Sequence, residues 1–544
     1  MLLPNFGKYI FNKVKNFQNK WQNIKPSYHF FALGSSFSFF LVAFCNFYFY
    51  KTIIQGGVSL YLAVLFTIIL FLEYFIIYAI FSIKYVKITI PIIIALSIIA
   101  NFYMITCNTY IGCGTLISIF QTNKREAIEI LNYKIIVMLI LFVLFFVAVK
   151  LLKINIGFTS IKQSLKIRLL SIIEALAVAG ILIFSNYKSV STFARNCNNF
   201  AFSINLNNYS FNTYRIIRDF VRTPKELQII DEKPFLKDKN KKHFVVFLVG
   251  ETSRAMNYSL NGYERKTNPL LEKDKVISFT NTTSCATYTA RSVPCMFSHK
   301  NREKFNEMDN DENLMDLLKK VGIYTKWYEN DDGCKGVCER IKTINVQARK
   351  DKLCKNGECK DEILINDLQN EIENYKKHKI DNAIIVMHMI GSHGPLYHLR
   401  YTRKFAKFMP ECTNKNPSEC TKKELANAYD NTILYQDFVI HEMIELLKNM
   451  KKNNKNVDIA LIFVSDHGES LGEKGAFMHA FPYAIAPKEQ KQVPFLFWTT
   501  NEHLKKKLLE KKDKKTSHDN IFHTILGLFD ISSIVKKDGL DLTL

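Results

Sequence analysis

Five long apolar runs, all before residue 190, constrain the fold of this 544-residue chain more than any other feature. A helix needs about 20 consecutive apolar residues to cross the hydrocarbon layer of a bilayer, and there it satisfies its own backbone hydrogen bonds. We therefore expect an α-helical membrane domain with five transmembrane helices in residues 1–187. The runs cover roughly residues 28–50, 58–81, 86–105, 134–152 and 168–187.

The basic residues beside these runs predict their orientation. Five lysines precede the first run, and further basic residues occupy the turn after the second run and the loop after the fourth. Positively charged segments stay on the cytoplasmic side, so an odd number of spans leaves everything after residue 188 on the far side. The prediction is a multi-pass inner-membrane protein with a periplasmic domain. The basic residues are Lys8, Lys13, Lys15, Lys20, Lys25, Lys84, Lys87, Lys150, Lys153, Lys162, Lys166 and Arg168.

Eight of the twelve cysteines fall between residues 285 and 420, as four close pairs. An even number at short spacing in an exported domain favours disulfides, with nearest-neighbour pairing assumed. Zinc binding is the alternative, because two of the spacings resemble those of zinc ligands. Cys107 and Cys113 are a further candidate pair, whereas Cys45 lies within a predicted span. The four predicted pairs are Cys285/Cys295, Cys334/Cys338, Cys354/Cys359 and Cys412/Cys420.

Residues 188–240 bridge the membrane domain and the soluble domain. The segment 214–222 has apolar residues at helical spacing between arginines, which predicts either an amphipathic helix in the membrane interface or a linker helix packed on protein. The net charge of +23 reflects either attraction to anionic lipid or a general excess of lysine in this chain. We expect no nucleic-acid partner, because the domain lies outside the membrane.

Residues 241–544 alternate short buried strands with helices, the pattern of a catalytic α/β/α sandwich. Continuous apolar runs such as 384–387 and 459–464 are typical of central parallel strands that are covered on both faces. The predicted strands are 243–249, 276–281, 324–328, 383–389, 459–465 and 494–499. The predicted helices are 313–320, 361–377, 423–448 and 518–528.

Thr289 lies between two cysteines of a predicted pair, so a disulfide would hold its hydroxyl at a fixed point. A threonine hydroxyl is a weak nucleophile unless a base or a metal ion lowers its pKa. Glu251, Asp466 and His467 directly follow predicted strands, at the edge where open α/β sheets gather their ligands. Two carboxylates and an imidazole suit zinc, and the Thr289 oxygen supplies the fourth ligand.

Seven ordered segments carry a more specific signal. They are Val249-Gly-Glu-Thr-Ser-Arg-Ala255, Asn261-Gly-Tyr-Glu-Arg-Lys-Thr-Asn-Pro269, the Thr289 loop, Met387-His-Met-Ile-Gly-Ser-His-Gly-Pro395, Asn427-Ala-Tyr-Asp-Asn431, Val464-Ser-Asp-His-Gly-Glu-Ser-Leu-Gly-Glu473 and Ala486-Pro-Lys-Glu-Gln490. These segments closely resemble the lipid A phosphoethanolamine transferases, the family that includes the enzymes of polymyxin (colistin) resistance. The resemblance extends over essentially the whole chain, the five predicted spans included.

The resemblance implies an alkaline-phosphatase/sulfatase-like hydrolase fold and a zinc-dependent two-step transfer. Thr289 is the implied nucleophile and also a ligand of one tightly bound zinc ion, with Glu251, Asp466 and His467; a second zinc ion is left open. Further implied substrate-binding residues are Lys335, His393, His479, Thr122 and Glu126.

Some positions do not fit the family pattern or carry no implied role. Ser118 and Asp332 depart from some family members, which leaves head-group recognition open but not the chemistry. The other histidines are expected in packing or surface roles. They include His388, His441, His518 and His523.

The resemblance thus implies transfer of phosphoethanolamine from phosphatidylethanolamine to a lipopolysaccharide acceptor, foremost a lipid A phosphate. The protein is expected to act as a monomer among membrane lipids. A core sugar, another glycan or a protein are alternative acceptors, and a lipoteichoic-acid-synthase type of glycerol-phosphate transfer is the runner-up. A non-catalytic binding protein is disfavoured because all four site positions hold competent residues. A sulfatase is disfavoured because the chain has no Cys-x-Pro-x-Arg segment.

Overall fold

The computed structural model describes residues 26–55, 57–82, 86–107, 110–121, 160–196, 200–221, 226–355 and 357–544, with four single helical positions between 137 and 147. Two compact units divide the chain. One is built from the described parts of Met1–Thr106 and Asn132–Phe211. The other is built from those of Cys107–Leu131 and Asn212–Leu544, and it contains the mixed α/β fold.

The N-terminal apolar runs form helices, since a helix satisfies every backbone polar group within one segment. Four described helices contain stretches long and apolar enough to cross a membrane: Tyr28–Cys45, Leu60–Phe81, Lys87–Ile105 and Ile161–Ser185. These four confirm four of the five predicted spans; the predicted span 134–152 lies outside the described residues, apart from single positions. The helices in chain order are α1 Pro26–Cys45, α2 Phe47–Gln55, α3 Leu60–Phe81, α4 Val86–Cys107, α5 Cys113–Gln121, α6 Ile161–Ser185, α7 Tyr187–Asn196, α8 Phe200–Ser203 and α9 Asn205–Val221.

The first predicted span is shorter than the sequence indicates, because Asn46 interrupts the helix. Its side-chain amide donates to the carbonyl oxygen of Leu41 at 2.8 Å. Its carbonyl oxygen accepts from the hydroxyl of Tyr74 at 3.0 Å and from the backbone N–H of Asn205 at 3.1 Å. An asparagine side chain that bonds to backbone groups competes with the helical ladder, so α1 ends at Cys45 and a separate helix follows.

Helix α6 begins at Ile161, before the predicted start at residue 168, with Ser160 as its N-cap. Arg168 of this helix contacts the end of α3. The guanidinium is buried and donates to the carbonyl oxygens of Ala79 at 2.8 Å and Ser82 at 2.9 Å. It also lies 4.9 Å from the ring centroid of Phe30. The last carbonyls of a helix have no partner within the helix, and a cation there also favours the helix dipole. Arg168 therefore caps the end of α3 from the neighbouring helix.

We predict that Arg168→Met destabilises the membrane unit, because carbonyls at the end of α3 lose their donor. Hydrogen bonds to a charged group contribute about 1.5–3 kcal/mol each, so the loss should be of that order. The measurement is the thermal unfolding midpoint of the full chain in detergent. Lys166→Met, at an exposed position of the same helix, is the matched control. Equal midpoints for the two variants would contradict the capping role.

The second unit contains a seven-stranded sheet whose centre is parallel, which confirms the predicted α/β/α class. The spatial order is β2-β7-β6-β1-β5-β3-β4, numbered along the chain. The sequence analysis made no prediction about the direction of β7, which runs antiparallel to both β6 and β2. It also missed β4, a short edge strand with mostly exposed residues and no apolar run. The strands are β1 Lys242–Gly250, β2 Ile277–Phe279, β3 Tyr324–Glu329, β4 Lys342–Asn345, β5 Asn382–His388, β6 Val457–Ser465 and β7 Phe495–Thr499.

Side chains of the central strands alternate between two hydrophobic cores, one on each face of the sheet. Val246 and Leu248 of β1 pack in one core, and Val245 and Phe247 pack in the other. Because both faces are covered, the central strands are apolar throughout. The helices of this unit are α10 Pro269–Lys273, α11 Thr289–Met296, α12 Leu314–Lys320, α13 Ile363–Lys377, α14 Lys422–Asn453, α15 Glu502–Lys511 and α16 Asp519–Leu528.

All four predicted cysteine pairs form disulfides in this unit, in nearest-neighbour connectivity. The zinc alternative for these cysteines is therefore wrong. Cys45 is a free buried thiol, in agreement with its predicted place in a span. The disulfides are Cys285–Cys295, Cys334–Cys338, Cys354–Cys359 and Cys412–Cys420.

Cys420 was predicted as a disulfide candidate with Cys412, and the structure shows where that pair acts. Its disulfide with Cys412 closes the loop that leads into α14. Cys420 is only partly buried, at the margin of one hydrophobic core, and Thr421 directly after it caps α14 by accepting the N–H of Glu424 at 3.2 Å. The predicted pairing is confirmed, and the disulfide of Cys420 holds the start of a helix.

The predicted amphipathic segment 214–222 falls in the last turns of α9, up to Val221. Tyr214 and Ile217 are 62% and 56% exposed, so these apolar side chains are not covered by the described protein. Arg215 and Arg218 lie between and beside them in the sequence. The segment is thus helical as expected, and its exposed apolar residues are typical of an interfacial helix.

Candidate active site

Strand register brings the predicted ligands together. In the parallel pair β1–β6, Gly250 lies opposite Ser465, so the next residues, Glu251 and Asp466, leave the same edge of the sheet. The N–H of Asp466 donates to the carbonyl of Gly250 at 2.9 Å. A side chain at Gly250 would meet the ring of Phe463 at 2.5 Å, so this close approach requires glycine. The carboxyl ends of β1 and β6 thus form the floor of the site.

Thr289 begins helix α11, and its loop is fixed from two directions. The Cys285–Cys295 disulfide closes the loop around it. His518 accepts the N–H of Cys285 at 3.1 Å on Nδ1, so its Nε2 carries the proton and donates to the carbonyl of Ser465 at 3.0 Å. His518 was predicted as a packing or surface residue, and it is buried as a structural link between the Thr289 loop and β6.

The Thr289 hydroxyl lies against two of the predicted ligands. Its Oγ1 is 3.2 Å from Oε2 of Glu251 and 3.3 Å from Nε2 of His467. The first residue of a helix is close to the positive end of the helix dipole, which favours negative charge at this oxygen. The threonine is therefore placed where a deprotonated oxygen is most easily formed.

The donor set of Glu251, Asp466 and His467 fits a bound cation. Nδ1 of His467 is 2.9 Å from the carbonyl of Gly468, and a carbonyl only accepts, so Nδ1 carries the proton. The lone pair of Nε2 then faces Oδ2 of Asp466 at 3.3 Å and Oε1 of Glu251 at 3.6 Å. Within the described residues, Oδ2 of Asp466 is buried without a hydrogen-bond partner. Such a group of fully buried electron donors is unfavourable unless a cation lies between them.

The protonation equilibria agree with this fit. Burial lowers the pKa of His467 to about 4, so the imidazole is neutral and able to bind a metal at neutral pH. Burial and the adjacent Asp466 carboxylate raise the pKa of Glu251 well above its usual value. A divalent cation between these groups would favour the ionised carboxylate instead, since opposite charge stabilises the charged form.

A second set of donors shares Glu251 and was missed by the sequence analysis. Glu251, Asp331 and His388 place ligand atoms within 4.8 Å of one another, and all three are buried. Nδ1 of His388 lies 3.0 Å from Oε1 of Glu329, which leaves Nε2 facing Asp331 at 3.9 Å. His388 was predicted as a packing or surface residue. Its position at the end of β5 is the same signal that identified Glu251, so the sequence could have indicated it.

The two histidines expected to bind substrate converge on this site. The ring centroid of His479 lies 4.4 Å from that of His467 and 6.3 Å from that of His393. Nδ1 of His479 is 3.5 Å from a carboxylate oxygen of Glu469. The loop of His479 is joined to the Thr289 loop, since the N–H of Ala480 donates to the carbonyl of Thr287 at 2.7 Å.

The loop of His393 is held by a disulfide-closed hairpin that the sequence analysis did not identify. Arg400 donates from Nε to the carbonyl of His393 at 2.5 Å, and its Nη1 forms a buried ion pair with Glu358. Glu358 lies in the hairpin closed by Cys354–Cys359. Asp361, just after the hairpin, accepts the N–H groups of Ile390 at 2.9 Å and Gly391 at 3.0 Å. No sequence pattern marks these long-range contacts.

Lys335 lies in the loop closed by the Cys334–Cys338 disulfide. Its ammonium donates to the carbonyl of Asp332 at 2.6 Å and lies 3.2 Å from the Asp332 carboxylate. Burial raises the pKa of Asp331 to about 6, and the Lys335 ammonium is one of the charges that limit the rise. The hydrogen bonds of Lys335 thus lie within its own loop, and its ammonium acts on the site as a charge near Asp331.

The predicted substrate residues Thr122 and Glu126 lie outside the described residues, but the helix α5 before them is described. A side chain at Gly114 would meet the ring of Tyr288 at 2.4 Å, so α5 packs directly on the residue before Thr289. Thr115 also donates to the carbonyl of Ala480 at 3.3 Å. Helix α5 thus contacts both the Thr289 loop and the His479 loop.

We predict that Arg400→Met lowers the free energy of unfolding by about 3–5 kcal/mol, because the buried Glu358 carboxylate loses the guanidinium that neutralises it. The double variant Arg400→Met/Glu358→Met should recover most of the loss, since neither charge remains. The measurement is the thermal midpoint of each variant. A double variant as unstable as the single one would show that the ion pair is not the cause.

We also predict a pH-dependent contribution from His388 in chelator-treated protein. Burial lowers the pKa of His388, but the Glu329 carboxylate outweighs it and raises the pKa to about 9. Because the pKa of His388 is raised in the folded state, its protonation stabilises the folded protein, by up to about 3 kcal/mol. This stabilisation is complete when the pH is below the unfolded-state pKa of about 6.5, and it is lost as the pH rises to about 9. The stability difference between wild type and His388→Gln should therefore shrink over that range. His441→Gln serves as control, and a difference that is constant with pH would refute the assignment.

Comparison with known proteins gives two family matches. Residues 243–531 match the Sulfatase family, and residues 68–220 match the family described as phosphoethanolamine transferase EptA/EptB. The solved structure of the integral membrane protein lipooligosaccharide phosphoethanolamine transferase A (EptA) from Neisseria meningitidis has a TM-score of 0.85 and 31% identity. This similarity covers 94% of this chain and 98% of that chain.

Two curated relatives align with a shorter stretch. Phosphoethanolamine transferase EptA of Escherichia coli K12 is 44% identical over 310 residues, and phosphatidylethanolamine transferase Mcr-1 of Escherichia coli is 38% identical over 312 residues. The alignments cover 55% of this chain in both cases, and 55% and 56% of the relatives. The matched region thus spans about half the length of these curated relatives.

Proposed function

The chain belongs to the phosphoethanolamine transferase EptA/EptB family with a sulfatase-type domain, and from this membership we propose that it transfers phosphoethanolamine from phosphatidylethanolamine to a lipid A phosphate. The observation that supports the proposal most is the placement of Thr289, whose hydroxyl contacts Glu251 and His467 at the start of a helix. This is the geometry of an activated nucleophile whose base and orienting groups are in hydrogen-bond reach.

In this proposal Glu251, Thr289, Asp466 and His467 hold one zinc ion. A zinc ion in that position would favour the deprotonated Thr289 oxygen and neutralise phosphate charge. The carbonyl of Gly468 fixes the tautomer of His467, so its Nε2 lone pair is available as a ligand. The second donor set, with Asp331 and His388, supports a further cation position that shares Glu251.

The first half of the reaction moves phosphoethanolamine onto the enzyme. The Thr289 hydroxyl gives its proton to its acceptor, the Glu251 carboxylate, as Oγ1 forms a bond to phosphorus and the bond between phosphorus and the glycerol oxygen breaks. The departing diacylglycerol takes up a proton, for which His393 and His479 are the nearby donors. Lys335 binds a phosphate oxygen and limits the negative charge that accumulates.

The second half returns the threonine to its starting state. A phosphate oxygen of the acceptor forms a bond to phosphorus, and the bond from phosphorus to Oγ1 of Thr289 breaks. His393 and His479, the proposed proton donors of the first half, can accept the proton of the acceptor in the second half. Both lipids reside in membranes, and the apolar N-terminal helices anchor the catalytic domain at that surface. We assign the protein to the inner membrane, with residues 1–187 as membrane domain, 188–240 as bridge and 241–544 as periplasmic catalytic domain.

Mass spectrometry of the protein after incubation with phosphatidylethanolamine tests the proposal. We expect a phosphoethanolamine adduct on Thr289, released diacylglycerol, and loss of both after zinc chelation or in Thr289→Ala. Thr280→Ala is the matched control, because Thr280 is exposed and its hydroxyl donates to Asp513, which is not a proposed site residue.

The outcomes separate the candidates. A glycerol-phosphate adduct would show the lipoteichoic-acid-synthase type of transfer instead. Diacylglycerol release by Thr289→Ala at the wild-type rate would overturn the nucleophile. Asp466→Asn should lose bound zinc, measured by elemental analysis, together with at least about a hundredfold of transfer rate, on the order of the loss of one electrostatic group.

A further inference from the structure

The segment Ala486-Pro-Lys-Glu-Gln490 is one of the seven ordered segments, but it contains none of the proposed ligand or substrate residues. Its last three residues form a short 3₁₀ turn, and β7 follows shortly after it. The side chain of Gln490 is completely buried. A buried amide is unfavourable unless its polar atoms are paired, so the partners of Gln490 indicate why it is there.

The Gln490 amide is bonded to the backbone on both sides of His479. Its Nε2 donates to the carbonyl of Met478 at 3.0 Å, and its Oε1 accepts the N–H of Phe481 at 3.2 Å. Nε2 also donates to the hydroxyl of Ser470 at 2.9 Å, so both of its N–H groups are used. One buried side chain therefore fixes the loop that carries His479.

The backbone of the His479 loop has a conformation that needs such support. Met478 and Ala480, directly before and after the histidine, have φ angles of 64° and 68°. Residues with a side chain seldom adopt this left-handed conformation, and they keep it where surrounding contacts hold it. The bond from Gln490 to the Met478 carbonyl is one such contact, and the bond from Ala480 to the Thr287 carbonyl is another. Loss of the first contact should let the loop relax and move the imidazole.

The backbone of Gln490 contacts a different part of the site. Its carbonyl accepts the N–H of Gly468 at 3.1 Å, directly after the proposed ligand His467. A side chain at Gly468 would collide with the carbonyl oxygen of Glu489, so this close approach requires glycine. The metal-ligand loop is thus held by main-chain groups of the segment, which do not depend on the Gln490 side chain.

The residues after Gln490 hold two further loops, again through main-chain groups. The carbonyl of Lys491 accepts the N–H of Ser284 at 2.7 Å, at the start of the Thr289 loop. The carbonyl of Gln492 accepts the N–H of Ala255 at 3.0 Å, in the loop that follows β1. A substitution of the Gln490 side chain therefore removes the bonds to the His479 loop and to Ser470 and leaves these main-chain bonds in place.

We propose that Gln490 is the positioning residue for His479 in the transfer reaction. The inference rests on the function proposed above, in which His479 gives a proton to the glycerol oxygen as the bond between phosphorus and that oxygen breaks. Gln490 exchanges no proton itself: its amide holds the imidazole next to His467, with ring centroids 4.4 Å apart. General acid catalysis contributes about 10²- to 10⁴-fold, and a displacement of about 1 Å can cost on the order of a hundredfold.

The test uses the full-length protein in phosphatidylcholine nanodiscs with dioleoyl phosphatidylethanolamine as donor. Gln490→Met keeps the size of the side chain and removes its three hydrogen bonds. Gln490→Glu, which keeps an acceptor for Phe481 and loses the donor to Met478, serves if the first variant does not fold. Gln492→Met is the matched control, because the contribution of this glutamine is its backbone carbonyl.

His479→Gln and the double variant with Gln490→Met complete a double-mutant cycle. The readouts are the maximal rate constant of adduct formation on Thr289 and the donor concentration that gives half of it. Bound zinc is measured by elemental analysis, and rates are taken below the thermal midpoint of every variant.

We expect Gln490→Met to lower the maximal rate constant at least about tenfold, with the half-saturating donor concentration within about twofold of wild type and with unchanged zinc. In the His479→Gln background the same substitution should change the rate by less than about twofold, since no imidazole remains to be positioned. Gln492→Met should behave as wild type. Equal losses in both backgrounds, a loss of zinc, or a wild-type rate in either single variant would overturn the inference.

Hydrogen exchange followed by mass spectrometry tests the placement without turnover. In Gln490→Met the amides of residues 479–483 should exchange at least about tenfold faster, because the N–H of Phe481 loses its acceptor, whereas those of residues 466–468 should exchange as in wild type. Unchanged exchange of residues 479–483 would contradict the role of Gln490. If the wild-type protein forms no adduct and releases no diacylglycerol, the proposed function fails, and the exchange rates alone then decide whether Gln490 holds the loop.

Discussion

The shared register of four parallel strands is the constraint on which the active-site geometry depends. Val249 of β1 lies opposite both Val464 of β6 and His388 of β5, and His388 lies opposite Glu329 of β3. Because parallel strands in register end at one edge, the polar residues that directly follow them lie together at the carboxyl edge of the sheet. A slip of one residue between β1 and β6 would turn Glu251 and Asp466 to different faces, because side chains alternate along a strand. The hydrophobic cores on both faces of the sheet fix that register, so the packing of apolar side chains positions the metal-ligand set.

Loops fixed by a disulfide and by buried hydrogen bonds position the site residues that do not lie at strand ends. The Thr289 loop is closed by a disulfide and tied to β6 by His518, and the His393 loop is held by Arg400 and Asp361. Because these supports are buried, they hold the side chains of Thr289 and His393 in one geometry. Phosphoryl-type transfer gains most from positioning and charge neutralisation, which is what such supports provide. The group of buried donors around Nε2 of His467 is unfavourable by itself, and the proposed cation would stabilise it and couple metal binding to the integrity of the fold.

The membrane part follows a different physical rule. Its helices form because hydrocarbon offers no hydrogen bonds, whereas its specific contacts come from the few polar side chains within it. Asn46 ends α1, and Arg168 caps α3, so two residues that are costly in an apolar setting decide where helices begin and end. Helix α5 and the later part of α9 belong to the catalytic unit by their contacts. Helix α5, which follows a predicted span in the chain, therefore packs against Tyr288 next to Thr289.

The sequence by itself determined the two-part architecture, four of the five predicted spans, the six main strands and the cysteine pairs. These features rest on local composition, periodicity and spacing, which a linear chain displays directly. It also indicated Thr289, Glu251, Asp466 and His467, because strand ends and motif order mark them. Only the tertiary structure decided which disulfides support the site and which, like that of Cys420, hold a helix start instead. It alone also revealed the roles of Asp331, Glu358 and Arg400, together with the antiparallel edge of the sheet. Those depend on contacts between residues such as Glu358 and Arg400, 42 positions apart in the chain, whose proximity arises only from packing.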